Sequence, residues 1–207
     1  MPVTRRQALT AFAASAAASA LTTPGVPACA AVQTGGPAPD FTATDTKGTQ
    51  HTLTAFRGRT VVLEWTNHEC PYTGKHYATG NMQALQADAT AAGVIWLTVV
   101  SSRRGEQGYV EATQADRLTA SRKAHPTAVL LDPSGNLGHL YDARTTPHMF
   151  VIDGAGTLVG AIDDRPTANP ASVKGARNYV REALDAVAAG RPVAVTATRP
   201  YGCSVKY

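Results

Sequence analysis

The stretch Val61-Val62-Leu63-Glu64-Trp65-Thr66-Asn67-His68-Glu69-Cys70-Pro71-Tyr72 decides the fold. Thr60–Trp65 reads as a buried central strand, because its apolar run is broken only by Glu64. Asn67-His68-Glu69 is a polar turn, and Pro71 suits the first turn of a helix. Cys70 therefore stands where a strand feeds a helix N-terminus. Backbone N–H groups and the helix dipole favour an anion there. The thiolate is the reactive form of cysteine, so the position suits redox or nucleophilic sulfur chemistry. An isolated cysteine can equally be a small buried apolar residue. The remainder of the chain has to choose between the two.

Outward from this point the chain alternates strand and helix signals. Phe41–Phe56 suggests two short strands around the turn Asp45-Thr46-Lys47-Gly48. Pro71–Ala91 favours helix, with Gly74 and Gly80 weakening its first half. Val94–Val100 is a second apolar strand, Tyr109–Ala124 contains a modest helix, and Ala128–Leu131 is a third strand. Met149–Asp153 and Thr157–Ile162 read as a β-hairpin across Gly154-Ala155-Gly156. Asn169-Pro170 predicts the N-cap and first residue of a last helix, with Val173, Ala176, Val180, Leu184 and Val187 on one face and Gly190 past its end. The expected architecture is α/β: a central mixed sheet covered on both faces, in three layers.

Arg5-Arg6, an alanine-rich run from Ala8 to Leu21 and Ala28-Cys29-Ala30 together resemble a Tat-type export signal with its cleavage site. The alternatives are a lipoprotein signal acylated at Cys29 and a membrane anchor. The run is short of the roughly 20 strongly apolar residues that a span needs. The expected division is a signal over 1–30, a domain over 31–190 and a tail over 191–207. Removal of residues 1–30 takes away two arginines and Cys29. It leaves 17 basic against 15 acidic side chains and two cysteines, Cys70 and Cys203. No basic stripe interleaved with aromatics is present, which argues against nucleic-acid binding. Two cysteines in an oxidising compartment are expected to pair or to do redox work.

Several segments resemble the redoxin superfamily, which holds the thioredoxins, the TlpA-type thiol oxidoreductases and the AhpC/TSA peroxiredoxins. Gly36-Pro37-Ala38-Pro39-Asp40-Phe41 is similar to the lead-in of redoxins, and Leu53–Arg59 to the segment before their first core strand. Thr146-Pro147-His148-Met149-Phe150-Val151-Ile152-Asp153 is similar to their threonine–cis-proline segment and the strand after it. Asn67–Tyr72, Ile162-Asp163-Asp164 and Gly202-Cys203-Ser204-Val205-Lys206-Tyr207 resemble a peroxiredoxin-like subgroup. The resemblance implies a thioredoxin-like fold and a thiol-dependent oxidoreductase needing no cofactor. Its partners would be a protein thiol or disulfide, or a peroxide, with a separate electron donor. Two departures qualify it. Tyr72-Thr73 follows Pro71, so the nearby second cysteine of a C-x-x-C motif is missing. Leu63, Asn67 and Pro147 stand where a peroxiredoxin carries its proline, threonine and peroxide-holding arginine, so generic thiol–disulfide chemistry fits better than fast peroxidase chemistry.

Within that frame Cys70 is the expected attacking thiolate and Cys203 the expected resolving thiol. Thirteen residues beyond Gly190 reach about 43 Å when extended, against a radius of gyration of roughly 16 Å, so an extended tail can bring Cys203 to Cys70. Glu64, a carboxylate in an apolar strand six residues before Cys70, is expected to be buried with a raised pKa and to shuttle protons. Thr146 and Pro147 would offer a backbone edge to a substrate. Asn67, His68 and Lys75 are expected to tune the thiolate. Two further readings stay open: a soft-metal site for Cu(I) using Cys70, His68 and His148, and an inert Cys70–Cys203 staple. His51, His125 and His139 have no visible chemical context.

Overall fold

The computed structural model describes residues Met1, Val32, 34–154 and 156–207; the expected export signal lies outside the described residues. The main sheet has seven strands: β1 (Thr42–Asp45), β2 (Gln50–Thr52), β3 (Val61–Trp65), β4 (Ile95–Val100), β5 (Ala128–Leu131), β7 (His148–Asp153) and β8 (Gly156–Gly160). Their order is β2-β1-β5-β4-β3-β7-β8. β3, β4 and β5 run parallel, and β7 returns antiparallel to β3, with Glu64 opposite Met149 and Trp65 opposite His148. The sheet is mixed, as expected.

Every residue of β3 and β4 is buried, which requires cover on both faces. Helices α1 (Pro71–Ala78), α2 (Asn81–Ala91) and α5 (Tyr179–Ala188) supply one layer. Tyr77, Met82, Leu85, Val180 and Leu184 pack there on Val62, Trp96, Met149 and Val151. Helix α3 (Ala112–Ser121) packs Ala115 on Val100 and Val129. On the opposite face Leu63, Trp65, Leu97 and Phe150 meet Phe41, Tyr141 and Leu137, the last from the short helix α4 (Asn136–Leu140). The three-layer arrangement follows from these two apolar faces.

Two local expectations are corrected. Pro71–Ala78 is a regular helix despite Gly74; the break falls at Gly80, whose φ of 75° turns the chain into α2. The last helix does not start at Asn169-Pro170. Asn169 caps only a single turn, its side chain accepting from the Ala171 N–H, and Gly175 (φ 73°) then ends it. The helix restarts at Asn178, which accepts from the Arg181 N–H at 2.9 Å. Val173 and Ala176 therefore lie outside α5, and its buried face is Val180, Ala183, Leu184 and Ala186.

The tail is pinned to the domain. Residues 196–198 run beside the edge strand β8, where the Val159 N–H donates to Thr196 O and the Thr198 N–H to Val159 O, both at 3.1 Å. Farther on, β9 (Cys203–Ser204) pairs antiparallel with β6 (Thr145–Thr146), setting Cys203 opposite Thr146 and Ser204 opposite Thr145. No helix among the described residues is long and apolar enough to cross a membrane.

Candidate active site

Cys70 is the N-cap of α1, with extended backbone (φ −78°, ψ 121°), and Pro71 occupies the next position. Asn67 builds the approach. Its side-chain oxygen accepts the Glu69 N–H at 2.9 Å, its amide donates to Gln107 O at 3.2 Å, and its carbonyl accepts the Cys70 N–H at 3.1 Å. Gly108 lies so close that a Cβ there would fall 2.3 Å from the Asn67 side chain. Asn67 is thus a bracket that shapes the turn, and it does not touch the sulfur.

The thiol itself is only 1% exposed and faces the Thr146-Pro147 peptide bond, which is cis. Neutral Cys70 donates its S–H to Thr146 O at 2.9 Å. Cys203 arrives from the tail as the cross-strand neighbour of Thr146, the residue whose carbonyl accepts from Cys70, and each thiol shifts the other's proton affinity. Burial pushes the Cys70 thiol up, but hydrogen bonds from the Cys203 side chain, Thr146, and the backbone N–H groups of Thr73 and Cys203 outweigh it, and the net shift is downward. The contact to Thr146 O favours the neutral thiol and so works against the backbone donors, without reversing the downward shift. Cys203 moves the opposite way, to about 11, first through burial and then through its hydrogen bond to Cys70 and the charge there. The pair is asymmetric: the two thiols shift in opposite directions, Cys70 down and Cys203 up.

The remaining expected site residues lie elsewhere. Glu64 is fully buried and accepts four hydrogen bonds: from Tyr77 Oη (2.8 Å), Gln86 Nε2 (2.9 Å), Trp96 Nε1 (2.8 Å) and Thr98 Oγ1 (3.2 Å). Burial raises its pKa against all four donors. None of the four is Cys70, so the expected proton shuttle has no direct path to the sulfur; Glu64 serves a closed network that ties β3 and β4 to α1 and α2. Lys75 turns away as well. Its side chain is fully buried, with Nζ donating to Arg165 O at 2.6 Å, 3.5 Å from Asp163 and 4.9 Å from the centre of the Tyr201 ring. His68 is partly buried, its pKa lowered by that burial, and its carbonyl accepts from Arg122 at 3.0 Å. The groups that tune the thiolate are therefore Cys203, Thr146 and the Thr73 amide rather than Asn67, His68 and Lys75. Of the Thr146-Pro147 edge, expected to receive a substrate, Thr146 is already paired with Cys203 in β9 of the same chain.

Sequence reasoning passed over the residues that hold the tail. Tyr201 donates its hydroxyl to Asp163, lies 3.3 Å from His76 Nε2 and packs edge-on against Tyr72. Gly202 lies under the Thr146 carbonyl, where a Cβ would come within 2.1 Å of the oxygen. Tyr207 stacks on His139 with ring centres 4.0 Å apart and donates to Ala143 O at 2.6 Å. The signal available was the Gly202–Tyr207 motif itself: a glycine and an aromatic flanking a cysteine at fixed distances. For a soft metal, among the described residues no three His, Cys, Asp or Glu side chains gather as ligands. His148, near the cis bond, uses Nδ1 to accept the Arg144 N–H at 3.3 Å.

A cysteine at a helix start, facing a cis-proline beside a mixed sheet, defines a thioredoxin-like protein. The model of the AhpC/TSA family matches residues 34–161, and the chain belongs to that family. Membership places it among thiol-dependent redox proteins. No curated protein gives a significant match. Among solved structures, an uncharacterized conserved protein from Geobacillus kaustophilus superposes with a TM-score of 0.70 at 23% identity, covering 85% of this chain and 93% of its own. A hypothetical protein from Sinorhizobium meliloti 1021 gives 0.71 at 22% identity, covering 86% and 96%. A secreted Mycobacterium tuberculosis disulfide oxidoreductase homologous to E. coli DsbE gives 0.49 at 17%, covering 65% and 92%. The first two share the fold.

Proposed function

We propose that the protein is an exported oxidoreductase whose working couple is Cys70 and Cys203. The observation that carries this reading is the pairing of β9 with β6, which sets Cys203 opposite Thr146, the residue whose carbonyl accepts the Cys70 S–H; the opposite shifts of the two thiols agree with it. Cys70, as thiolate, attacks an oxygen of a hydroperoxide; the O–O bond breaks, an alcohol or water leaves, and Cys70 carries a sulfenic acid. Cys203 then attacks that sulfur, water leaves, and a disulfide closes. A thiol donor restores both cysteines by two exchanges. With Cys70 buried under the tail and the Thr145–Thr146 edge occupied, a small oxidant has better access than a disulfide on a folded protein. The reaction is slow by peroxidase standards, since Leu63, Asn67 and Pro147 replace the groups that stabilise the breaking bond.

The test is mass-spectrometric mapping of the mature protein after one equivalent of hydrogen peroxide. Formation of a Cys70–Cys203 bond, and accumulation of oxidised Cys70 in a Cys203→Ala variant, is the expected result. Unchanged peroxide consumption by a Cys70→Ser variant would overturn the reading. A reduction potential above about −300 mV separates a working couple from an inert staple.

A further inference from the structure

β9 and β6 share only two residue pairs, and a slip of one residue would turn Cys203 to the opposite face of the strand. So short a ladder does not fix its own register. Something outside it must hold the tail so that Cys203 meets Cys70. Tyr201 is anchored two residues before Cys203, and Tyr207 four residues after it, roughly 13 Å along an extended strand.

We propose that Tyr207 is a positioning residue of the redox couple, and that the surface of α4 is shaped to receive its ring. Three observations carry this. Gly138 interrupts the short helix α4, where alanine would be the better helix former. A Cβ at Gly138 would come within 2.4 Å of the Tyr207 ring and hydroxyl, and one at Gly135 within 2.6 Å of the ring. The two glycines thus leave a slot one aromatic ring deep. His139 stacks on the ring, and Ala143 O accepts the hydroxyl at 2.6 Å. Between slot and thiol the strand is tied at each step, with the Val205 N–H donating to Arg144 O at 3.1 Å and the Arg103 N–H to Lys206 O at 2.7 Å. The ring acts on the chemistry only through the register it imposes on Cys203.

The inference rests on Cys70 and Cys203 forming the couple, and one titration separates the two claims. The full-length mature protein is equilibrated with glutathione, so that one oxidised glutathione and the protein dithiol yield two reduced glutathiones and the protein disulfide. The wild type is expected to close the disulfide. Tyr207→Ala is expected to lower that equilibrium constant about tenfold or more, as the effective concentration of Cys203 at Cys70 falls. Tyr207→Phe, which keeps the stacked ring, is expected to stay within about threefold of wild type. In the Tyr207→Ala variant the Cys70 thiolate should also titrate at higher pH, and in a Cys203→Ala background the same substitution should leave the Cys70 titration unmoved. An unchanged equilibrium constant in Tyr207→Ala, or an equal shift of the Cys70 titration with and without Cys203, overturns the positioning role. Failure of the wild type to close the disulfide at all overturns the couple and the inference with it.

Discussion

The two sulfurs reach one point by different constructions. Cys70 is placed locally: a buried strand, a three-residue turn and a proline set it at the start of α1 within ten residues of sequence. Cys203 is placed by distant contacts, from Tyr201 to the Asp163, His76 and Lys75 cluster and from Tyr207 to the slot on α4. The first construction rests mainly on adjacent residues, with Gly108 leaving room for Asn67; the second depends on space left open by Gly135 and Gly138. Local order places Cys70, and long-range order places Cys203.

Substitutions at three positions test this contrast. The largest effect is expected in the network under the first construction. Glu64→Ala leaves the buried donors of Tyr77, Trp96 and Thr98 without their acceptor and should cost on the order of 3–5 kcal/mol in urea unfolding. Glu64→Gln keeps an acceptor for these donors and should cost far less. Because burial raises the Glu64 pKa above its ordinary 4.5, its contribution to stability is fully present below that value and is lost as pH rises through the folded-state pKa. Glu64→Gln should abolish that decline; a stability profile that stays parallel to wild type over this interval speaks against the buried acid.

An intermediate effect is expected at Gly202. Alanine there, at φ 143° and 2.1 Å from Thr146 O, should displace β9 while the domain stays folded, at a cost of about 1–3 kcal/mol. Alkylation of Cys70 by a bulky maleimide should accelerate by at least about tenfold as burial is lost. Equal labelling rates would show that the tail does not shield the site. The smallest effect, with the opposite sign, is expected at Gly74. It is helical, and a methyl group added there would meet nothing within 4 Å, so Gly74→Ala should stabilise by about 0.5–1 kcal/mol and leave the redox equilibrium untouched.

The same division explains what could be read from the chain alone. The central strands, the hairpin and the thiol at a helix start follow from apolar runs and turn residues that act over a few positions. The burial and raised pKa of Glu64 follow from a carboxylate in an apolar strand. Its partners do not, because Tyr77, Gln86, Trp96 and Thr98 converge only after α1, α2 and β4 pack. Lys75 is misplaced by sequence for a related reason: three to four residues per turn determine its side of α1, but only Asp163, 88 positions later, determines where the ammonium goes. His139 carries no signal at all, since its importance lies in the ring that stacks on it. The tail has reach without a destination until the slot on α4 and the free edge at Thr145–Thr146 are both visible.

The pairing of β9 with β6 has a bearing on biosynthesis. A growing chain exposes the Cys70 segment 137 residues before Tyr207 follows, and throughout that interval Cys70 has neither its cover nor its neighbouring thiol. The two-cysteine centre is therefore completed last, and until then a small disulfide can exchange onto Cys70 alone, releasing one thiol as the mixed disulfide forms.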